Sequence, residues 1–254
     1  MKTQWISFAI GLAAGCFGGL IGIGGGIIMV PLLVELLRVD QCRAHGTSLV
    51  VLIFTGISGG ISYGLHGQVD WKAAVLLAVP AMLLAAAGAH LADRLPDWKL
   101  KKFFGGFLIF CSVLLLLKPV LAGWIGVLPD AVSNVALIVT GGATGFLSGL
   151  MGIGGATIMI PALILLGGFS QHVAQGTALL VMVPSGFIGA FTHWKLGNVA
   201  GGLLFTMIPG IVLGATAGAG IAQLIPEEPL RWLFVLVAVY MGWRYVKIVS
   251  PDTC

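Results

Sequence analysis

Charge is scarce in this 254-residue chain: 13 Lys and Arg with 9 Asp and Glu make only 9% of the residues, against 58% hydrophobic. Ordinary soluble domains carry about 25% charged residues, and a mean hydropathy of +1.07 excludes that class here. Apolar runs recur along the whole length, each near the ~20 residues that cross ~30 Å of hydrocarbon, and no polar domain stands beside them. The four cysteines, Cys16, Cys42, Cys111 and Cys254, show no CxxC or other ligand spacing, so neither a metal site nor a disulfide framework is expected. No polar cleavage region follows the first apolar stretch, which therefore reads as a retained span and not as a signal peptide. The positive balance (+4) lies in short loops between spans, where it sets topology and does not call for nucleic acid. The expectation is one all-α transmembrane domain over residues 1–254, without metal or cofactor and with the lipid bilayer as its partner.

Glycine, by contrast, is abundant, with 39 residues. Placing residues 11–51 over 141–181 gives 20 identities in 41 positions without a gap, at an offset of 130. The densest part reads "GGLIGIGGGIIMVPLL" in the first half and "SGLMGIGGATIMIPAL" in the second. Each is followed by a matching stretch, "QCRAHGTSLVV" and "QHVAQGTALLV". Two long copies built from membrane spans point to the internal symmetry common in transporters. Repeat one is expected over about residues 5–122 and repeat two over about 131–250.

Three ordinary spans follow the leading segment of each half: residues 45–63, 71–91 and 100–117, then 173–191, 199–225 and 230–249. The leading segment itself, residues 5–37, would be about 50 Å long as one helix, too long for a simple crossing. Broken at the glycines of residues 22–26, it becomes a hairpin of two shorter arms. The positive-inside rule supports the break. With single crossings the 13 Lys and Arg divide seven to six; with hairpins they divide ten to three, Lys72, Lys118 and Arg231 being the minority. Each half then makes about five passes, an odd number, so the two repeats are inverted and both termini lie in the cytoplasm.

In such a fold the arms that start near Gly25 or Gly26 and near Gly155 begin inside the membrane. Their free N–H groups approach each other from opposite sides, each end carrying the equivalent of about half a positive charge. That is an anion site without a buried arginine. Glycine lets backbone approach a ligand closely, and Pro31 and Pro161 stand near the start of each arm, where little hydrogen bonding is lost.

The two motif copies, "GIGGGIIMVP" and "GIGGATIMIP", each followed by a glutamine and "GT", resemble the TauE/SafE family of membrane transporters, the sulfite exporter or toluene sulfonate uptake permease family. The resemblance covers nearly the whole chain. It implies transport of a small sulfur-containing oxyanion, such as sulfite, an organosulfonate or sulfoacetate, across a bacterial inner membrane. One departure stands inside the chain: Gly26 is matched by Ala156, which argues against a fully symmetric site.

The substrate-binding candidates are Gly24, Gly25, Gly26, Gly154, Gly155 and Ala156, with Thr47, Thr177, His45 and Gln175 assisting from the spans that follow. Thr47 and Thr177 are also placed to act as helix N-caps. Gly15, Gly19, Gly145 and Gly149, spaced four apart, fit close helix packing. Glu35 is the one carboxylate within an apolar run and is the candidate for coupling to a proton, although Arg38 three residues on would also account for it. His66, His90, His172 and His193 fall at span ends as interfacial polar tips. An oligomer is compatible with the pattern.

Three motifs and patterns bear on other classes. "GISG" around Ser58 resembles an intramembrane serine protease motif, but its repeat "GFIG" lacks the serine and no histidine falls inside a later span. "GIGGGI" lacks the third glycine and the strand context of a nucleotide site. A passive anion channel would use the same helix ends. The inverted arrangement fixes a first test: topology reporters fused at either terminus should both report the cytoplasm, and a C-terminus outside would overturn the inversion.

Overall fold

The computed structural model describes residues 2–92, 130–151 and 154–247, and between them residues 102, 105, 106, 108–110, 112, 113 and 115–117. The helices are α1 (Lys2–Ile21), α2 (Gly26–Leu37), α3 (Gln41–Leu65), α4 (Trp71–Ala92), α5 (Asp130–Met151), α6 (Ala156–Leu166), α7 (Gln171–Lys195), α8 (Gly201–Leu224) and α9 (Glu227–Val246). No strand occurs among the described residues. The expected span at 100–117 lies largely outside them. Six helices, α1, α3, α4, α5, α7 and α8, are long and apolar enough to cross a membrane. The chain is an all-α polytopic membrane protein.

Helix positions repeat at the sequence offset: α3 and α7 superimpose residue for residue at 130, and α2 with α6 and α4 with α8 begin at matching positions. Contacts between α3 and α7 give the relative direction of the copies. Gly46 lies against His193, Gly186 against Ile53, Gly56 against Leu179 and Val183, and Gly176 against Tyr63. As numbers rise along α3 they fall along α7, so equivalent helices run antiparallel and the repeats are inverted.

The repeats also interlock. The glycine ridge Gly11, Gly15, Gly19 of α1 lies on the carbonyls of Met207, Ile211 and Ala215 of α8. At the offset of 130, Gly141, Gly145 and Gly149 of α5 lie on the carbonyls of Leu77, Ala81 and Ala85 of α4. Gly210, Gly214 and Gly218 answer from α8 against the carbonyls of Phe8, Leu12 and Cys16. Small residues four apart let two helix backbones touch, so the first helix of each repeat is zipped to the fourth helix of the other. The outer surfaces of these pairs carry bare apolar side chains, among them Leu83, Phe205 and Leu213, as lipid contact requires.

The hairpin has the two shorter arms expected of the glycine break, and they are unequal. With 20 residues, α1 is about 30 Å long, enough to cross, whereas α2 and α6, with 12 and 11, reach only about 17 Å. The chain turns at residues 22–25 and doubles back along α1, Gly24 lying against Gly18 and Gly25 against the Ala14 carbonyl. At the far end of α2, Glu35 pairs with Arg244 near the end of α9 and not with Arg38. That bridge joins the far end of α2 to the end of α9. Cys42 is disulfide-bonded, against the expectation from spacing; its partner lies outside the described residues.

The zipper predicts a sharp contrast. Gly149→Leu, which drives a side chain into the α4 backbone, should lower the thermal midpoint in detergent by several degrees or prevent folding, since overpacking costs about 1–3 kcal/mol or more. Gly220→Ala, with nothing within 4 Å of its Cβ, should leave the midpoint unchanged or raise it.

Candidate functional site at the paired half-helix tips

The glycine tips meet at mid-height. Leu52 and Met182 are each the twelfth of the 25 residues of α3 and α7, and both lie against Gly24 and Gly154. A Cβ at Gly154 would stand 2.7 Å from Met182 Cε, 3.4 Å from Leu52 Cδ1 and 3.6 Å from the Ile23 carbonyl oxygen. The two tips therefore touch around a pair of apolar side chains that are themselves equivalent at the offset of 130. From this point α2 and α6 run to opposite faces, each with its N-terminus inward.

The local sequence dictates the geometry. Gly22, Gly24 and Gly25 have φ of 79°, 84° and 80°, and Gly154 has 83°; side chains at such angles are strained. Gly25 caps α2 without a side chain, its carbonyl accepting from Ile28 and Met29 N–H at 3.1 and 2.9 Å. Gly155 does the same for Ile158 and Met159, at 3.1 Å each, but in the right-handed region with φ −75°. The amides of residues 26, 27, 156 and 157 belong to first helical turns, which have no intrahelical acceptor. Among the described residues no partner for them is seen. Residues 22–27 and 154–160 are buried.

Two polar groups here escaped sequence reasoning. Thr157, the second residue of α6, is 1% exposed, and its Oγ1 has no hydrogen-bond partner. Thr55, one turn beyond Leu52 on the same face of α3, is fully buried with an equally orphaned hydroxyl. Thr157 stands where the first repeat has Ile27, and this lone polar residue in an otherwise apolar arm was the available signal.

Of the expected residues, Gly24, Gly25, Gly26, Gly154, Gly155 and Ala156 form the two tips. Of the others, only Gln175 touches the turn of a tip, at Gly22. Thr47 and Thr177 are not N-caps of their own helices but sit in the second turns of α3 and α7. Thr47 donates to the Arg43 carbonyl and its Oγ1 accepts from Ala200 N–H at 2.9 Å; Thr177 Oγ1 accepts from Asp70 N–H at 3.0 Å. Each hydroxyl thus holds the turn that leads into the fourth helix of the other repeat. Gln175 lies against Gly22, and its Oε1 accepts from Tyr63 O–H at 2.8 Å. His45 is buried near the opposite end of α3, about 10 Å along the axis from Leu52.

Glu35 has 58% of its side chain exposed, so it is a surface ion-pair partner. Of the histidines expected as interfacial tips, His66 and His90 are exposed, whereas His172 and His193 are buried. His172 Nε2 lies 3.1 Å from the Ala222 carbonyl. Ser58 Oγ donates to the Phe54 carbonyl at 2.7 Å.

The family profile described as Sulfite exporter TauE/SafE matches residues 7–245. The probable membrane transporter protein YunE of Bacillus subtilis is 31% identical over 263 residues, covering 95% of this chain and 96% of its own. The probable membrane transporter protein YdhB of the same organism is 29% identical, covering 88% and 92%. A probable membrane transporter protein of Methanocaldococcus jannaschii is 28% identical, covering 92% and 91%. No solved structure matches significantly. With duplicated glycine tips, inverted repeats and a profile match over nearly its whole length, the chain belongs to the TauE/SafE family of membrane transporters.

Proposed function

We propose that this transporter moves a small sulfur-containing oxyanion, sulfite, an organosulfonate or sulfoacetate, across a bacterial inner membrane, with both termini cytoplasmic and with alternating access to the paired tips. The observation that carries the reading is the meeting of two half-helix N-termini at mid-height beside the orphaned Thr157 hydroxyl. Helix N-termini favour anions through unpaired N–H groups and the helix dipole. A tetrahedral or pyramidal oxyanion presents several acceptors, which suits donors converging from opposite sides. First-turn amides of residues 26 and 27 would hold one side of it, and those of residues 156 and 157 with Thr157 Oγ1 the other.

Leu52 and Met182 keep the tips closed. Access therefore requires Leu52 and Met182 to part, which favours a gated transporter over an open channel.

Glycine tips make poor mutational tests, because a Cβ at Gly25 would strike the Ala14 carbonyl and disturb the hairpin itself. Thr157→Val keeps the shape and removes only the hydroxyl. In proteoliposomes, labelled sulfite should show saturable flux that sulfoacetate competes away more effectively than chloride. Thr157→Val should weaken the apparent affinity by about 10- to 100-fold, as expected for one hydrogen bond to a charged ligand. Non-saturating chloride flux would establish a channel instead, and unchanged affinity in Thr157→Val would remove that hydroxyl from the site.

A further inference from the structure

The pseudo-symmetry is broken at one pair of buried positions. On one side of the tips, Tyr63 O–H lies 3.2 Å from the Gly19 carbonyl and 2.8 Å from Gln175 Oε1. At the offset of 130, Tyr63 becomes His193, Gly19 becomes Gly149 and Gln175 is matched by His45. His193 Nε2 lies 3.0 Å from the Gly149 carbonyl oxygen, repeating the Tyr63 contact. A Cβ at Gly176 would stand 2.8 Å from Tyr63 Cβ, and one at Gly46 would stand 3.1 Å from His193 Cβ, so the backbone frames also repeat. His45 and His193 therefore occupy the places of a hydrogen-bonded glutamine and tyrosine, and they are only 5% and 2% exposed.

We infer that His45 and His193 together form a proton-binding site on one side of the anion tips, through which proton movement is coupled to anion movement. The mirror pair shows that the fold at this place needs only shape and hydrogen bonding, which tyrosine and glutamine supply without titrating near neutral pH. Histidine adds a charge change in that range, and ionisable groups within membrane spans are costly unless used. A carbonyl can only accept, so His193 Nε2 carries the hydrogen it gives to Gly149, and an added proton enters at Nδ1 or on His45. Where two imidazoles interact they titrate as a pair, the first proton disfavouring the second.

Other charged groups stand on the elements packed around the pair: on α2, which packs on α3, Glu35 is exposed and paired with Arg244. On α3, Arg43 is exposed, and on α7 the Lys195 ammonium lies 4.5 Å over the Phe191 ring. On α4, His90 is exposed with Nδ1 on its own helix at Ala86, and Lys72 stands at the opposite end. Asp130 is at the far end of α5, and α6 and α8 contain no ionisable side chain. No group of three or more His, Cys, Asp and Glu that could hold a metal occurs among the described residues, so a proton fits the pair better than a metal ion.

The use of this site rests on the transport reading, but its existence can be measured without transport. The double variant His45→Gln/His193→Tyr installs the mirror pair, a combination that this geometry already accommodates. Purified wild type and variant in nanodiscs are titrated between about pH 8 and pH 5, where histidine takes up protons. Wild type should bind about one proton more than the variant. A difference of zero or of two would overturn the shared site. Methanesulfonate, whose charge is constant over this range, is then added to the unbuffered proteins. Proton uptake on addition in wild type and none in the variant is expected, because coupling between two bound ligands is reciprocal. Equal uptake in both proteins would overturn the assignment. Flux assays separate the two ideas: absence of any sulfur-oxyanion flux would sink the transport reading alone, while anion flux without proton movement would sink the coupling role and leave transport standing.

Discussion

Direct backbone contact between helices is the constraint on which the rest of this structure depends. A bilayer supplies no hydrophobic drive for one helix to seek another, so association relies on close packing. Here three glycines four residues apart bring α1 onto the carbonyl ridge of α8, and three more bring α5 onto α4. Because these contacts join the first helix of one repeat to the fourth of the other, neither copy is complete alone. The same helices then support the tips: Gly18 and the Ala14 carbonyl of α1 hold the returning strand at Gly24 and Gly25. A side chain at any of these places would move a tip that must meet its partner at mid-height.

Symmetry fixes where the site lies, and departures from symmetry show what it can do. Leu52 faces Met182, but the two caps differ in backbone, left-handed at Gly25 with φ of 80° and right-handed at Gly155 with φ of −75°. Ile27 against Thr157 puts a hydroxyl on one side only. Tyr63 and Gln175 against His193 and His45 give one flank a fixed neutral pair and the other a pair that can carry charge. An anion approaching from the two faces would meet different electrostatics, although the backbone donors it finally reaches are nearly the same.

Much of this was legible in the sequence, for identifiable reasons. Glycine clusters followed by proline have few structural uses inside a bilayer, so the broken half-helices and their inward N-termini could be read directly. The duplication supplied inversion once lysine and arginine positions were counted, and the four-spaced glycines were assigned to packing correctly. The failures share one cause: they concern contacts between residues far apart in sequence. Thr47 binds the Ala200 amide, 153 residues away, and Glu35 binds Arg244, 209 residues away; local spacing suggested a cap and an i,i+3 pair instead. His193 looked like an interfacial tip because it lies near a helix end, yet α5 covers it.

A site made of helix ends suits a protein that must release what it binds. A buried arginine would hold an oxyanion through a full charge that stays in place however the helices move. Two helix N-termini offer about half a charge each, and their effect on an ion depends strongly on whether water is excluded, since the same charges at 4 Å interact several-fold more strongly near a protein surface than in bulk water. With Leu52 and Met182 closed over it, an anion between the tips would be held by unscreened dipoles. When either side chain withdraws, water enters, the attraction falls and the ion can leave on that side. On the proposed anion pathway, apolar side chains at the centre would be a means of switching affinity, a use that suits glycine tips converging on a leucine and a methionine and not on a ring of cations.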